Sequence, residues 1–155
     1  MAGVGVLLLL TAATACSPFD DRVDVPGTQV SRADRAACQE VVSALPEKVS
    51  DQERRETTGN PLGAALGDPA IVLRCGVGSP ASLGLFAQCQ VANGLGWYVP
   101  VAGMNDQSRD VVMTTIERRP RIEVVLPATY RPPSTAMVDL AKAITAHTRL
   151  VTRCG

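Results

Sequence analysis

The chain has 155 residues, with 15 acidic and 15 basic side chains, so its formal net charge is zero. This length is typical of one domain with a sizeable core, and the balanced charge argues against nucleic acid as a partner. Aromatic residues are only 3% of the chain, which argues against a carbohydrate-stacking surface and indicates a mainly aliphatic core.

The N-terminal residues have the pattern of an export signal that ends at Cys16. An apolar run, Val4–Ala15, closes with small residues directly before this cysteine. The pattern predicts a lipoprotein signal peptide over residues 1–15, cleaved so that Cys16 becomes the lipidated N-terminus. Ala13 stands where a lipobox prefers a larger aliphatic residue, and no Lys or Arg precedes the run. A signal cut by the general signal peptidase and an uncleaved anchor therefore remain alternatives, although the run is shorter than the roughly 20 residues of a spanning helix.

The next segment, residues 16–30, is polar, contains proline and glycine and shows no periodicity. It is typical of a tether between a lipid and a domain, so we place a single domain over residues 31–155. Ser31 then predicts the start of a helix, with Asp34 completing a short capping box. Apolar residues follow at helical spacing, Cys38 among them, until a proline ends the helix.

The middle of the chain predicts short, closely spaced strands. A polar edge strand is expected at 52–58, and the apolar run at 70–75 is typical of a central strand covered on both faces. The Asn93-Gly94 dipeptide favours a hairpin. The remaining expected strands are 89–91, 96–101, 111–116 and 121–126.

A second helix is predicted near the C-terminus. Pro132 and Pro133 break the chain, Ser134 is the expected N-cap, and an apolar stripe runs on from Met137. Because the strands are joined by short links, antiparallel pairing is expected. The fold class is therefore α+β: an antiparallel sheet of about five strands, with N- and C-terminal helices packed on one face.

Four cysteines remain after Cys16, and an even number in an exported chain predicts two disulfides. We expect Cys75–Cys89, which joins consecutive strands, and Cys38–Cys154, which ties the first helix to the end of the last. None of the spacings resembles the C-x-x-C of a zinc site, so no metal site and no cofactor are expected.

Residues 67–76, GDPAIVLRCG, resemble the signature of an uncharacterised family of exported proteins from high-GC Gram-positive bacteria, catalogued as a domain of unknown function. The resemblance covers roughly Cys38 to Leu150. Its further matches are Arg54–Thr58, Val91–Gly94 before Trp97, Thr114–Thr115, and Arg118 before Pro120. Glu117 departs from it, because a glycine is expected there, and this questions the turn at residues 117–120. The resemblance implies an exported, usually lipid- or membrane-anchored protein, with no assigned reaction.

Three residues are candidates for a binding site. Arg74 interrupts the most apolar strand and needs a carboxylate, for which Asp68, Glu56 and Glu123 are the nearest choices. A structural ion pair is the expected role for Arg74, and a ligand carboxylate is the alternative. Asp68 is either a turn residue before Pro69 or part of a polar site with Arg74.

Trp97 follows a turn on a predicted strand, and it is either a core residue or, if exposed, part of a partner interface. His147 is the only histidine, and nothing in the sequence places a nucleophile near it. No residue is therefore assigned as catalytic.

The resulting functional expectation is a lipoprotein on the outer face of the cytoplasmic membrane, held there by its lipid. Its domain would bind an envelope protein or a cell-wall component without catalysing a reaction. One alternative is an envelope enzyme that uses Asp68 and Arg74. The other is a carrier of a small ligand, with an aliphatic pocket beneath the two helices.

Overall fold

The structure, a computed structural model, describes residues 21–84 and 87–153. The predictions for the signal peptide 1–15, for Cys16 and for Cys154 lie outside these residues. Within the described ranges, every helix is too short or too polar to cross a membrane.

The described residues form twelve strands, three α-helices and one short 3₁₀ helix. The helices are α1 Arg32–Ala44, α2 Val101–Asn105 and α3 Pro133–His147, and the 3₁₀ turn is Ala128–Tyr130. The strands are β1 Val23–Val25, β2 Lys48–Val49, β3 Gln52–Arg55, β4 Thr57–Gly59, β5 Gly63–Leu66, β6 Ile71–Cys75, β7 Cys89–Ala92, β8 Leu95–Tyr98, β9 Val111–Thr115, β10 Arg118–Arg119, β11 Ile122–Leu126 and β12 Arg149–Leu150.

Eight of these strands form one antiparallel sheet in the order β2-β3-β5-β6-β11-β9-β8-β7. Two smaller pairs stand apart: β1 with β4, which is parallel, and β10 with β12, which is antiparallel. The predicted α+β class with an antiparallel sheet is confirmed. The sheet is larger than the five strands expected, and α2 is an additional helix.

The helix starts follow local capping rules. Ser31 is the N-cap of α1, and its side chain accepts a hydrogen bond from the Asp34 N–H at 3.1 Å, as predicted. The predicted N-cap of α3 at Ser134 is wrong. The N-cap is Pro132, and the helix begins at Pro133. Proline fits that position because the N–H groups of the first turn have no helical acceptor to lose.

The core lies between α1 and α3 on one side and one face of the sheet on the other. Alternate residues of β6 and β11 point into it, and all of them are fully buried: Ile71, Leu73, Cys75, Ile122, Val124 and Leu126. They pack in one cluster with residues of α1 and α3, which also contact each other. The intervening residues of β6 and β11 are only partly buried, and we call the side of the sheet that carries them the open face. The strand expected at 70–75 is thus central, but it is fully buried on one face only.

The prediction that residues 16–30 form a tether is wrong for the described part of that segment. Val23–Val25 forms β1 alongside β4, and Val25 is 1% exposed. Val25 packs against Gly63 of β5, where a Cβ would lie 2.6 Å from the valine side chain. The strand could not be predicted from the sequence, because three residues between Asp21-Arg22 and Pro26-Gly27 are too few to show a period.

The predicted disulfides Cys75–Cys89 and Cys38–Cys154 are also wrong, because Cys38 is bonded to Cys75 with 5.5 Å between their Cα atoms. Cys38 lies on the buried stripe of α1, and Cys75 is the last core-facing residue of β6. Both side chains therefore enter the same core, where the pair meets. Cys89, on β7, is disulfide-bonded as well.

A candidate binding pocket on the open face

An ion pair occupies the middle of the open face. Arg74 on β6 lies directly opposite Glu123 on β11. The Arg74 Nε donates to the Glu123 Oε1 at 3.1 Å, and the Arg74 Nη2 donates to the same oxygen. The two side chains are 27% and 19% exposed. Glu123 is thus one of the three acids predicted as the partner of Arg74.

The row of cross-strand neighbours continues from Glu123 to Thr114 on β9 and then to Tyr98 on β8. Both are buried. The Tyr98 hydroxyl lies 2.7 Å from the Ser82 carbonyl oxygen, to which it donates, and 3.0 Å from the Ser82 Oγ. The segment that follows β6 is thereby held over this part of the sheet, and it forms one wall beside the ion pair.

The other wall is the N-terminal segment around Thr28. The Thr28 hydroxyl donates to the Cys75 carbonyl oxygen at 2.7 Å. Asn60 holds the residues that precede Thr28. Its Nδ2 donates to the Pro26 carbonyl oxygen at 3.2 Å, and its backbone N–H donates to the Val25 carbonyl oxygen at 2.9 Å. This wall is therefore tied both to β6 and to the connection between β4 and β5.

Gly76 allows the two walls to meet. Its φ is +84°, and a Cβ there would lie 1.7 Å from the Val30 Cγ1. Any other residue would therefore face backbone strain and a clash with Val30. This explains why a glycine directly follows Cys75.

Between the walls lies a surface pocket of about 570 Å³. Arg74 and Glu123 line it together with residues 27–29 and 76–81. The Arg74 Nη1 and the Glu123 Oε2 make no hydrogen bond with any residue that the structure describes. The ion pair therefore offers a ligand one donor group and one acceptor group, side by side.

The structure separates Asp68 from Arg74. Asp68 precedes β6, is 88% exposed, and has a carboxylate oxygen 3.8 Å from the Arg55 Nη1. Arg74 lies near the other end of the same strand. The two residues hypothesised to share a polar site are thus not brought together, and Asp68 has the position of an exposed turn residue.

Trp97 is fully buried on β8. The hypothesis that it forms part of a partner interface is therefore wrong, and the core interpretation is confirmed. All four residues of β8 are buried, because the strand lies inside the sheet between β7 and β9. The turn at Asn93 and Gly94 precedes β8, but it does not place this strand at the edge of the sheet.

Sequence reasoning did not identify the residues that build the walls, chiefly Thr28, Asn60 and Ser82. Asn60 follows a glycine and precedes a proline, which indicates a turn. Its bond to Pro26 joins residues 34 positions apart, and no local pattern reports such a contact.

Glu117, the departure from the family pattern, has a structural role. It is 8% exposed, and its Oε2 accepts a hydrogen bond from the Gly96 N–H at 2.8 Å. Its backbone carbonyl accepts from Val151 and Thr152. The Glu117 side chain therefore joins β8 to the segment that leads into β10.

The acidic loop before β9 is also structural. The Asp106 Oδ1 accepts hydrogen bonds from the Ser108 hydroxyl at 2.6 Å and from the Ser108 N–H at 3.0 Å. These bonds hold the pKa of the Asp106 carboxyl below its ordinary value of 3.8. Among the described residues, no three His, Cys, Asp or Glu side chains are grouped as a metal site would require.

No curated protein and no solved structure matches the chain. A family defined by its sequence pattern does match, over residues 1–152, and it carries the description "protein of unknown function (DUF3515)". Since that match covers almost the entire sequence, including both walls and the floor of the pocket, the chain belongs to the DUF3515 family.

Proposed function

We propose that this protein is a lipoprotein of the outer face of the cytoplasmic membrane, whose domain binds another envelope component in the open-face pocket without catalysing a reaction. Cys16 is the proposed lipid attachment site. The proposal has two parts, the compartment and the binding role, and each is supported by separate observations.

The disulfides support the compartment. Cys38 and Cys75 are both fully buried and bonded, and Cys89 is bonded as well. Structural disulfides of this kind persist in oxidising compartments and are rare in the cytosol. Together with the apolar run that precedes Cys16, they favour a domain that works outside the membrane.

The Arg74–Glu123 pair in the floor of the pocket is the observation that carries the binding role. The pair is only partly buried, both residues line an accessible pocket, and each retains a polar atom without a partner among the described residues. Pockets with a few converging polar groups are the usual form of binding sites. Ser79 is the only Ser, Cys or His among the described lining residues, and its hydroxyl makes no hydrogen bond with another described residue that could act as its base.

The two alternatives receive less support. An enzyme using Asp68 and Arg74 needs both residues at one site, whereas Asp68 precedes β6 and Arg74 lies near the far end of that strand. A carrier with a pocket beneath the helices needs room in that layer. The helix residues there, including Met137, Leu140 and Ile144, are packed in the core cluster.

The anchor can be tested by feeding cells a labelled fatty acid. We expect label on the wild-type protein and on Ser17→Ala, a control next to the site, and none on Cys16→Ala. A thioether-linked diacylglycerol would retain the protein firmly, since each buried methylene contributes about 0.8 kcal/mol. Label on the Cys16→Ala protein, or an unlabelled wild type, would contradict the proposal.

The binding role can be tested with a photo-crosslinking amino acid in the full chain. One variant carries it at Ser79, in the pocket wall, and a control carries it at Val138, which is 47% exposed on α3. We expect an envelope component bonded to the Ser79 variant and not to the Val138 variant. The same products from both positions would show that the pocket has no binding role.

A further inference from the structure

We infer that the ligand of the open-face pocket is an uncharged stretch of extended polypeptide belonging to a partner protein, bound chiefly through its main chain. This inference rests on the proposed binding function and specifies what is bound. It is carried by the charge of the floor, the chemistry of the walls and the residue types that line the pocket.

The floor is electrically neutral, and it presents a donor next to an acceptor. Glu123 neutralises Arg74, yet uses a single carboxylate oxygen for both hydrogen bonds. The Arg74 Nη1 can donate to a carbonyl oxygen while the Glu123 Oε2 accepts from a neighbouring N–H, which is the pair of groups that a peptide offers. Because the two charges largely cancel, a charged ligand would give up its hydration without gaining a net opposite charge in the floor.

The walls expose main chain with little side chain around it. A Cβ placed on Gly27 or on Gly78 would meet no atom within 4 Å. The N–H groups of Gly78 and Ser79 make no hydrogen bond with any described residue. A second chain can therefore approach closely and bond to these groups, as extended peptides do when they bind beside existing backbone.

The lining residues favour a peptide over a glycan. None of the described residues that line this pocket is aromatic, and the apolar ones, Val77, Pro80 and Ala81, are small or medium in size. Sugar rings are commonly held by stacking on aromatic side chains, and the pocket provides none. Small apolar residues instead suit the side chains of a peptide such as one rich in alanine.

The test uses the full-length protein, purified in dodecylphosphocholine micelles and labelled with ¹⁵N. It is titrated with acetyl-Ala-Ala-Ala-amide, with the same peptide ending in a free carboxylate, and with maltotriose. We expect the amide to shift the Gly78 and Ser79 signals to saturation, with the carboxylate form binding at least tenfold more weakly. Saturating shifts from maltotriose, stronger binding of the carboxylate form, or no shift from the amide would each overturn the inference.

Matched variants locate the effect. Arg74→Met with Glu123→Gln removes the guanidinium donor and both charges of the floor, and it should weaken binding of the amide at least tenfold. Lys48→Met with Glu53→Gln removes another cross-strand pair, 3.1 Å apart on β2 and β3, and should leave binding unchanged. Gly78→Leu blocks the pocket from a position with open space around it, so it tests the site even if the floor variant fails to fold. Unchanged binding in Gly78→Leu would overturn the inference.

The outcomes separate this inference from the proposed function. A protein that is lipidated and crosslinks from Ser79, but does not bind the neutral peptide, contradicts only the peptide ligand. A protein that binds the peptide as expected, but carries no lipid and crosslinks to nothing in the envelope, contradicts the proposed function.

Discussion

Arg74 is accommodated on the most apolar strand because the strand has two different faces. Its neighbours Leu73 and Cys75 point into the core, whereas Arg74 points to the open face and meets Glu123. The sequence predicted that this arginine needs an acid and that Glu123 was among three choices. It could not single out Glu123, because strand register determines which acid stands opposite.

Removing the Arg74 charge alone should destabilise the fold modestly. Because both side chains retain contact with water, we expect Arg74→Met to lower the free energy of unfolding by about 1–2 kcal/mol, between the values for surface and buried pairs. Adding Glu123→Gln should restore part of the lost stability, since position 123 then no longer carries a charge without a partner. Urea unfolding of the four proteins in a double-mutant cycle measures the coupling. Additive losses would show that the pair does not interact.

The Asp106 carboxyl provides a pH-dependent prediction. Its pKa lies below 3.8 in the folded protein because Ser108 donates two hydrogen bonds to the ionised form. A lowered folded pKa contributes stability above the ordinary pKa, and this is lost as the pH falls through the folded value. We expect Ser108→Ala to raise the Asp106 pKa toward 3.8, as followed by the carboxyl ¹³C shift. Ser79→Ala is the control, and an unchanged Asp106 titration in Ser108→Ala would contradict this account.

At the scale of elements, periodicity predicted the strands that border the core. The hairpin β7–β8 turns at Asn93 and Gly94, both with positive φ, and β9 pairs with β11 as expected. β5 was missed because three of its four residues, Gly63–Ala65, are small and all four are buried, so the strand shows neither alternation nor high β-propensity. Tertiary packing, which a local pattern does not contain, decides such a strand.

The predicted disulfide pairing was wrong because it assumed that one disulfide would join consecutive strands and that the other would join the first helix to the end of the last. The chain instead carries α1 across the core-facing side of the sheet, where Cys38 reaches the end of β6. α1 and α3 still pack together, so the Cys38–Cys75 link does not require the two helices to separate. Four cysteines allow three pairings, and sequence alone does not choose among them.

Peptide mapping without reduction should identify the Cys38–Cys75 link. Trypsin leaves Cys75 and Cys89 in one fragment, residues 75–109, so chymotrypsin is needed to cut between them. We expect a linked pair containing Cys38 and Cys75 and free of Cys89. A Cys38 peptide joined to any other cysteine would show that the pairing in the structure is wrong.

Removing that link should destabilise the fold without changing its topology. The bonded residues are 37 positions apart, for which the chain-entropy estimate is about 4 kcal/mol. Cys38→Ala with Cys75→Ala should lower the free energy of unfolding by roughly that amount, plus a smaller loss of packing. Denaturant unfolding measures it, and a change below about 1 kcal/mol would show that the link adds little.

At the scale of the whole molecule, the N-terminal segment belongs to the domain. Val25 is buried, and hydrogen bonds of Thr28 and Asn60 tie the segment to β6 and to the connection between β4 and β5. We expect Val25→Ala to lower the free energy of unfolding by about 2 kcal/mol, as for a buried side chain that loses two methyl groups. Val91→Ala, at a valine that is 63% exposed, should change it by less than about 0.5 kcal/mol. Equal effects on thermal unfolding would mean that the segment is not packed as described.

The pocket itself lay beyond prediction from the sequence, although Arg74 of its floor was singled out and Glu123 was one of the three acids expected to pair with it. Its walls come from residues 27–29 and 76–81, which are separated along the chain and lack any shared motif. They meet because Gly76 leaves room for Val30 and because Tyr98 binds Ser82. Long-range contacts of this kind depend on the completed fold.

The docking of β1 also limits how far the domain can stand from a membrane. With Cys16 lipidated as proposed, only residues 17–22 separate the lipid from β1, and this length of chain reaches about 25 Å when fully extended. The pocket wall at Gly27–Gln29 follows β1 directly. A partner embedded in the same bilayer would therefore meet the pocket within a thin layer above the lipid headgroups. Confinement to that layer raises the local concentration of both proteins, so even a weak peptide contact would be occupied for much of the time.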